Sequence, residues 1–141
     1  MTPRDIEDIE RLEELEKIIV ELKELTRDGA ILVVEGRKDA QSLRYQGVIG
    51  EIRLASQQPL LDLTESLSRS GKKIVILTDW DNKGYLIAKK LEKHLLAYGI
   101  IPDTRIRSKL RSLSKKSIKD IESLNNYVNK LRYEVHGVMR F

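Results

Sequence analysis

The 141-residue sequence contains no cysteine, which removes disulfides, thiolate metal ligands and thiol nucleophiles from any account of its stability or chemistry. Histidine is scarce too. His94 and His136 are the only imidazoles, and neither has an acidic partner at ligand spacing, so both read as structural. Long apolar runs are missing as well. Stretches such as residues 74–77 fall far short of the ~20 residues a membrane span needs, and the N-terminal end is acidic, unlike a signal peptide. There is no internal repeat and no low-complexity linker, and the length leaves no room for a second full domain. The expectation is a single cytoplasmic domain with no membrane partner.

What is abundant is charge, at 34% of residues, with a net value of only +4. That small total hides a gradient. Residues 1–30 are predominantly acidic, whereas residues 105–141 are basic through Arg105, Arg107, Lys109, Arg111, Lys115, Lys116 and Lys119. Such a cluster suits a polyanion, because phosphate contacts by Lys and Arg release condensed counterions; a solvated face is the plainer reading.

Apolar residues recur every three to four positions from Ile6 to Leu25, predicting one amphipathic helix over residues 5–27. Pro3 stands near its start and Asp28-Gly29 at its stop. Packing on the domain is the simplest role for it, and a dimer-forming coiled coil the other. Beyond Gly29, short apolar runs alternate with amphipathic stretches, the pattern of parallel strands with crossover helices. Four strands are predicted, at residues 30–34, 49–54, 73–78 and 101–107, with helices at 39–46, 59–70, 82–98 and 114–132. Residues 108–117 read as a mobile basic loop. The predicted fold is α/β: a doubly wound, mostly parallel four-stranded sheet with helices on both faces and a long N-terminal helix. Residues 1–29 form that helix, 30–110 the core, and 111–141 a basic helical extension.

Two segments carry chemistry. In Ile74-Val75-Ile76-Leu77-Thr78-Asp79-Trp80-Asp81-Asn82-Lys83-Gly84 a buried strand ends in two carboxylates one residue apart, which extended backbone would point to one side. Gly84 would permit a tight turn into the next helix, whose N-terminus suits an anion. In Ile31-Leu32-Val33-Val34-Glu35-Gly36-Arg37-Lys38-Asp39 the first strand ends in another carboxylate. For strand order 2-1-3-4 the switch point lies between strands one and three, so Glu35 and Asp79 should meet there. Three crowded carboxylates call for a cation, and oxygen-only ligands favour Mg²⁺ or Mn²⁺. Asp39 fits a helix N-cap. Arg37, Lys38 and Lys83 flank the acids and are candidate phosphate contacts, with Arg105, Arg107, Lys109 and Arg111 further along. Trp80, alternating away from its acidic neighbours, should pack into the domain rather than stack on a base. An EF-hand is excluded because Lys83 and Lys90 stand where calcium ligands belong.

The segments VVEGRKDA and ILTDWDNKG resemble the two signatures of the Toprim family over roughly residues 30–110. That family includes the catalytic domains of bacterial primases, the cleavage domains of type IA and type II topoisomerases, nucleases, recombination mediators and a ribonuclease that matures 5S ribosomal RNA. In size the chain is similar to small stand-alone archaeal Toprim proteins. The resemblance implies that Glu35 is a metal ligand or a general acid/base, that Asp79 touches both of two possible Mg²⁺ positions, and that Asp81 touches the second. It makes Gly36 and Gly84 turn glycines. Lys119-Asp120 resembles a later element of some members and is given no ligand role.

No domain is present to supply a topoisomerase tyrosine, and Tyr45, Tyr85 and Tyr98 fall within predicted helices; the extra domains of a primase are missing too. The leading reading is therefore Mg²⁺-dependent, nuclease-like action on RNA or DNA, alone or within a processing complex. A non-catalytic Mg²⁺-dependent module that binds nucleic acid or protein is the alternative, and a phosphohydrolase of small phosphates is a third.

Overall fold

The computed structural model describes residues 1–114 and 116–139. Helix α1 (Pro3–Arg27) opens with a capping box in which Thr2 and Asp5 satisfy each other's backbone N–H groups, removing two of the unpaired donors at a helix start. It buries Leu15, Ile18, Ile19 and Leu22, each contributing about 1.5–3 kcal/mol by leaving water. The helix ends at Asp28, and Gly29 takes φ +97°, a conformation that favours glycine.

Three parallel strands follow: β1 (Ile31–Val34), β2 (Ile52–Leu54) and β3 (Ile74–Ile76), in spatial order β2-β1-β3. Strand β1 is wholly buried, as an all-apolar run must be in a sheet covered on both faces. Its residues alternate between two cores. Leu32 and Val34 pack with Leu43, Val75, Leu77, Ile106, Leu110 and α1 on one side, while Ile31 and Val33 pack with Leu63, Leu67, Ile74, Ile76, Leu91 and Leu95 on the other. Helix α2 (Arg37–Tyr45) therefore leaves β1 toward the first face. Helices α3 (Leu60–Arg69) and α4 (Asn82–Ala97) cover the second. Because the connections after β1 and β3 go to opposite faces, a crevice opens at the carboxyl ends of these two neighbours.

The predicted fourth strand is not formed. Among the described residues it shrinks to one parallel bridge, where Asp103 exchanges hydrogen bonds with Ile74 and Ile76 at 2.8 and 2.9 Å. Pro102 offers no N–H to a ladder. Asp103 turns its carboxylate onto the N–H of Arg105 at 2.9 Å, and a helix starts there instead. Residues 108–114 of the segment read as a basic loop belong to that helix, α5 (Arg105–Ser114), with Ile106, Leu110 and Ser114 buried at four-residue spacing. The last helix, α6 (Leu124–Met139), begins ten residues later than its predicted start and packs on α1 and α2. Its link to α1 is an ion pair, Arg132 Nε to Glu16 at 2.6 Å. Among the described residues no helix is long and apolar enough to cross a membrane.

Candidate metal and nucleic-acid site

Glu35 leaves the end of β1 and Asp79 follows β3. The register aligns Val33 with Ile76, and the N–H of Leu77 still donates to Val33 O at 2.8 Å, so the pairing carries the two chains side by side into the crevice. There Glu35 Oε1 accepts the backbone N–H of Asp79 at 3.3 Å. Asp79 is 8% exposed, and its Oδ1 accepts the N–H of Ile121 at 3.0 Å.

Burial, reinforced by the charges of Asp39 and Glu35, pushes the Asp79 carboxyl up to about 8, against the pull of the Ile121 N–H. Burial also raises Glu35, helped by the nearby charges of Asp81 and Asp39. Desolvation disfavours an ionised carboxylate, and a second one beside it compounds the effect. Asp39 is raised by burial as well, even though it accepts N–H groups from Gly36 at 3.0 Å and Glu122 at 2.9 Å. It does not act as the N-cap. Gly36 is in that position and Asp39 lies three residues into the helix, where its carboxylate reaches back to the Gly36 N–H and across to the α6 side.

Asp81 has a structural task as well. It is the N-cap of α4, its Oδ1 accepting the Gly84 N–H at 2.7 Å, because the helix starts at the very next residue. Among the described residues no group of three or more Asp, Glu, His or Cys side chains is arranged to hold a metal ion. Glu35 and Asp79 meet in the crevice, and the charge of Asp81 is near enough to raise Glu35. Two all-oxygen carboxylates with raised proton affinity still fit Mg²⁺, which takes one or two protein carboxylates and fills its octahedron with water and phosphate oxygens. The glycine of the second motif has a role other than a turn. Gly84 sits inside α4 without positive φ, and a Cβ there would fall 1.9 Å from the Asp79 carbonyl oxygen and 2.8 Å from Glu35 Oε1. Only a hydrogen lets the helix approach the acids.

Arg107 is not a free phosphate contact. It is buried, donating from Nε to Thr78 O at 2.9 Å and from a terminal nitrogen to Asp79 O at 2.6 Å, so it fixes the chain leaving β3. Arg105 pairs with Glu21 of α1 and lies 3.6 Å from Asp103. Lys109 is exposed in the α1–α5 groove, close enough to Glu21 to stabilise its charge. Arg111 is exposed, one turn beyond Arg107 and near enough to repel it. Lys38 stands 3.9 Å from Glu122; Arg37 and Lys83 are exposed beside the crevice. Lys115 lies outside the described residues.

One part of the site had no sequence signal. Residues 118–122 strap across it through Trp80 Nε1 to Ile118 O at 2.8 Å, Trp80 N to Lys119 O at 2.9 Å, and the two N–H groups that meet Asp79 and Asp39. Trp80 is buried and packs rather than stacks. All four contacts use only backbone atoms of the strap, which every residue type offers, and Lys119-Asp120 is the nearest hint.

The Toprim domain model matches residues 30–109. The chain belongs to the Toprim family. A UPF0292 protein of Methanosarcina barkeri is 46% identical over 122 residues, covering 86% of this chain and 85% of that protein. Another, from Pyrococcus abyssi, is 46% identical over 111 residues, covering 79% and 81%. A solved structure of a protein from Aquifex aeolicus superposes with a TM-score of 0.67 at 28% identity, over 77% of this chain and 96% of that one. The similarity to small archaeal Toprim proteins is thus shown, and the α/β fold with it. Toprim membership supports a metal-dependent, nucleic-acid-related role, and Toprim domains typically bind Mg²⁺.

Proposed function

We propose that this Toprim domain acts on nucleic-acid phosphodiesters in a Mg²⁺-dependent, nuclease-like reaction, with Glu35 and Asp79 as the residues that hold the ion. The observation that carries the proposal is the buried Asp79 beside Glu35 at the ends of two adjacent parallel strands, with a proton affinity that reaches neutral pH. When bound, a divalent cation offsets phosphate charge and makes water more acidic. Glu35, its proton affinity raised by burial, is suited to accept a proton from attacking water. Arg107 holds the carbonyls of Thr78 and Asp79, so the Asp79 carboxylate keeps its direction. The N-terminal end of α4 places the positive end of its dipole beside Asp81 and Lys83, where a phosphate would lie. Arg37, Lys83 and Arg111 are exposed, and they would hold a strand by its backbone with little sequence preference.

Incubating the protein with single-stranded and structured RNA and DNA in Mg²⁺ or Mn²⁺ tests this. Cleavage should fall at least about a hundredfold in Glu35→Gln and Asp79→Asn; cleavage that survives Asp79→Asn would refute it.

One observation favours a second reading, a module that retains nucleic acid or a partner protein without cutting. The Asp81 carboxylate is engaged by the α4 cap, leaving fewer free carboxylate oxygens than a two-ion reaction would use. Mg²⁺-dependent retention without any product would favour that reading. The identity of the strand and assembly into a homodimer or a processing complex belong to the proposal also.

A further inference from the structure

A polar groove runs beside the carboxylate crevice, between α2 and the segment that opens α6. From α2 come Lys38, Gln41, Ser42 and Tyr45, and opposite them Glu122, Asn125 and Asn126. The α2 spacing of three, four and seven residues puts its contributors in one stripe, about 10 Å long from Lys38 to Tyr45 at ~1.5 Å per residue. The mouth of the groove and the acidic site share a wall. Glu122 donates its N–H to Asp39, whose other oxygen accepts from Gly36, the residue after Glu35.

The chemistry of this groove is unlike the rest of the surface. The chain is 34% charged, yet between the Lys38–Glu122 pair at the mouth and Tyr45 at the far end the lining is hydroxyl and amide. A sugar-phosphate backbone calls for cations. Amides, which offer a donor and an acceptor together, match the edge of a nucleobase. Tyr45 is 68% exposed, with its hydroxyl accepting from Gln41 Nε2 at 3.1 Å, so its ring is held by its tip and its faces are open to solvent. The walls are fixed: the Asn125 N–H donates to Ser42 Oγ at 3.0 Å, and Gln46 donates to Asn125 Oδ1. Gln46 is 6% exposed and its Oε1 has no hydrogen-bond partner among the described residues, leaving an unmet acceptor behind the amide wall. The volume, about 220 Å³, is below the ~300–1,000 Å³ of pockets for drug-sized ligands and suits one planar ring system.

We infer that the α2–α6 groove is a nucleobase subsite, which takes an unpaired base of the strand whose phosphate lies against Glu35 and Asp79. The inference rests on the nucleic-acid reading above and adds to it that the strand is single at this point, since a paired base hides its Watson–Crick edge and its faces.

Equilibrium anisotropy in Mg²⁺ tests it with three probes: a short base-bearing single strand with non-hydrolysable linkages, an abasic strand of the same length and linkage, and a free mononucleotide. The wild type should bind the base-bearing strand more tightly than the abasic one. Tyr45→Ala should weaken the base-bearing strand about tenfold and leave the abasic strand unchanged, while Tyr45→Phe keeps most of the affinity. Tyr45 is too exposed for these changes to threaten the fold, and Asn126→Ala, at another exposed position, should also weaken only the base-bearing strand. Equal binding of the two strands by the wild type, or equal weakening of both by Tyr45→Ala, overturns the subsite and leaves the phosphate reading standing. Binding of neither strand overturns both. Tyr45-dependent binding of the mononucleotide without the strand overturns the strand as the source of the base.

Discussion

Asp79 makes the stability of this protein depend on pH in a direction opposite to that of most carboxylates. Its carboxyl sits at about 8 in the folded chain, against 3.8 as the ordinary value. Between those two values the folded state holds a proton that the unfolded chain has released. Stability therefore falls as pH rises through that window, and is level below and above it. Fully realised, such a displacement corresponds to about 6 kcal/mol; solvent screening at the open mouth of the crevice brings this to roughly 2–3 kcal/mol. At about 3 °C per kcal/mol for a chain of this length, Tm should drop by roughly 6–9 °C from about pH 4 to about pH 9 when no divalent ion is present. Raised Glu35 and Asp39 add to the slope in the same sense. Asp79→Asn should flatten most of it, being the more stable protein at the alkaline end. Millimolar Mg²⁺ should raise Tm of the wild type at the alkaline end and much less at the acidic end, where protons compete. Thermal melts of both proteins across this range, with and without Mg²⁺, are the assay. Parallel curves for wild type and Asp79→Asn would refute the reasoning, since they would mean that the carboxylate is ionised at no cost.

Three other outcomes follow from the geometry. Gly84→Ala forces a Cβ into the Asp79 carbonyl and should lower stability by about 3 kcal/mol in urea unfolding, with the loss centred on α4. Arg107→Leu leaves the Thr78 and Asp79 carbonyls without their donors and should lower it by about 2–3 kcal/mol; Arg107→Lys should recover little, because an ammonium cannot reproduce the fork. The Glu16–Arg132 pair, which holds Glu16 below its ordinary value through the Arg132 hydrogen bond, is partly exposed. Glu16→Gln should therefore cost only about 0.5–1 kcal/mol at low salt, and the difference from wild type should shrink at molar salt.

The parts of this fold that were legible in the sequence are those set by apolar patterning. The continuous run Ile31 to Val34 and the run Ile74 to Leu77 specify strands buried on both faces, and the order of their connections brings Glu35 to Asp79. Pro102 and the capping side chain of Asp103 were the signals against a fourth strand, but the neighbouring isoleucines masked them; Ile101 turns out to be 84% exposed. Helix α5 was hidden because its stripe, Ile106, Leu110 and Ser114, is sparse among Lys, Arg and Ser. Arg107 read as surface charge, whereas two carbonyls draw it inside. Alternation placed Asp81 near the other acids, where its charge acts on Glu35, but could not show that the same carboxylate also caps α4. The strap at residues 118–122 is made of backbone groups, on which side-chain identity has little to say.

The central claim is that Glu35 and Asp79 jointly hold one divalent cation, and Mn²⁺ titration followed by electron paramagnetic resonance at neutral pH measures it directly. The wild type should bind the ion, with Glu35→Gln and Asp79→Asn each weakening it by at least about tenfold and Asp81→Asn by less. Undetectable binding by the wild type, or undiminished binding by Asp79→Asn, would contradict it.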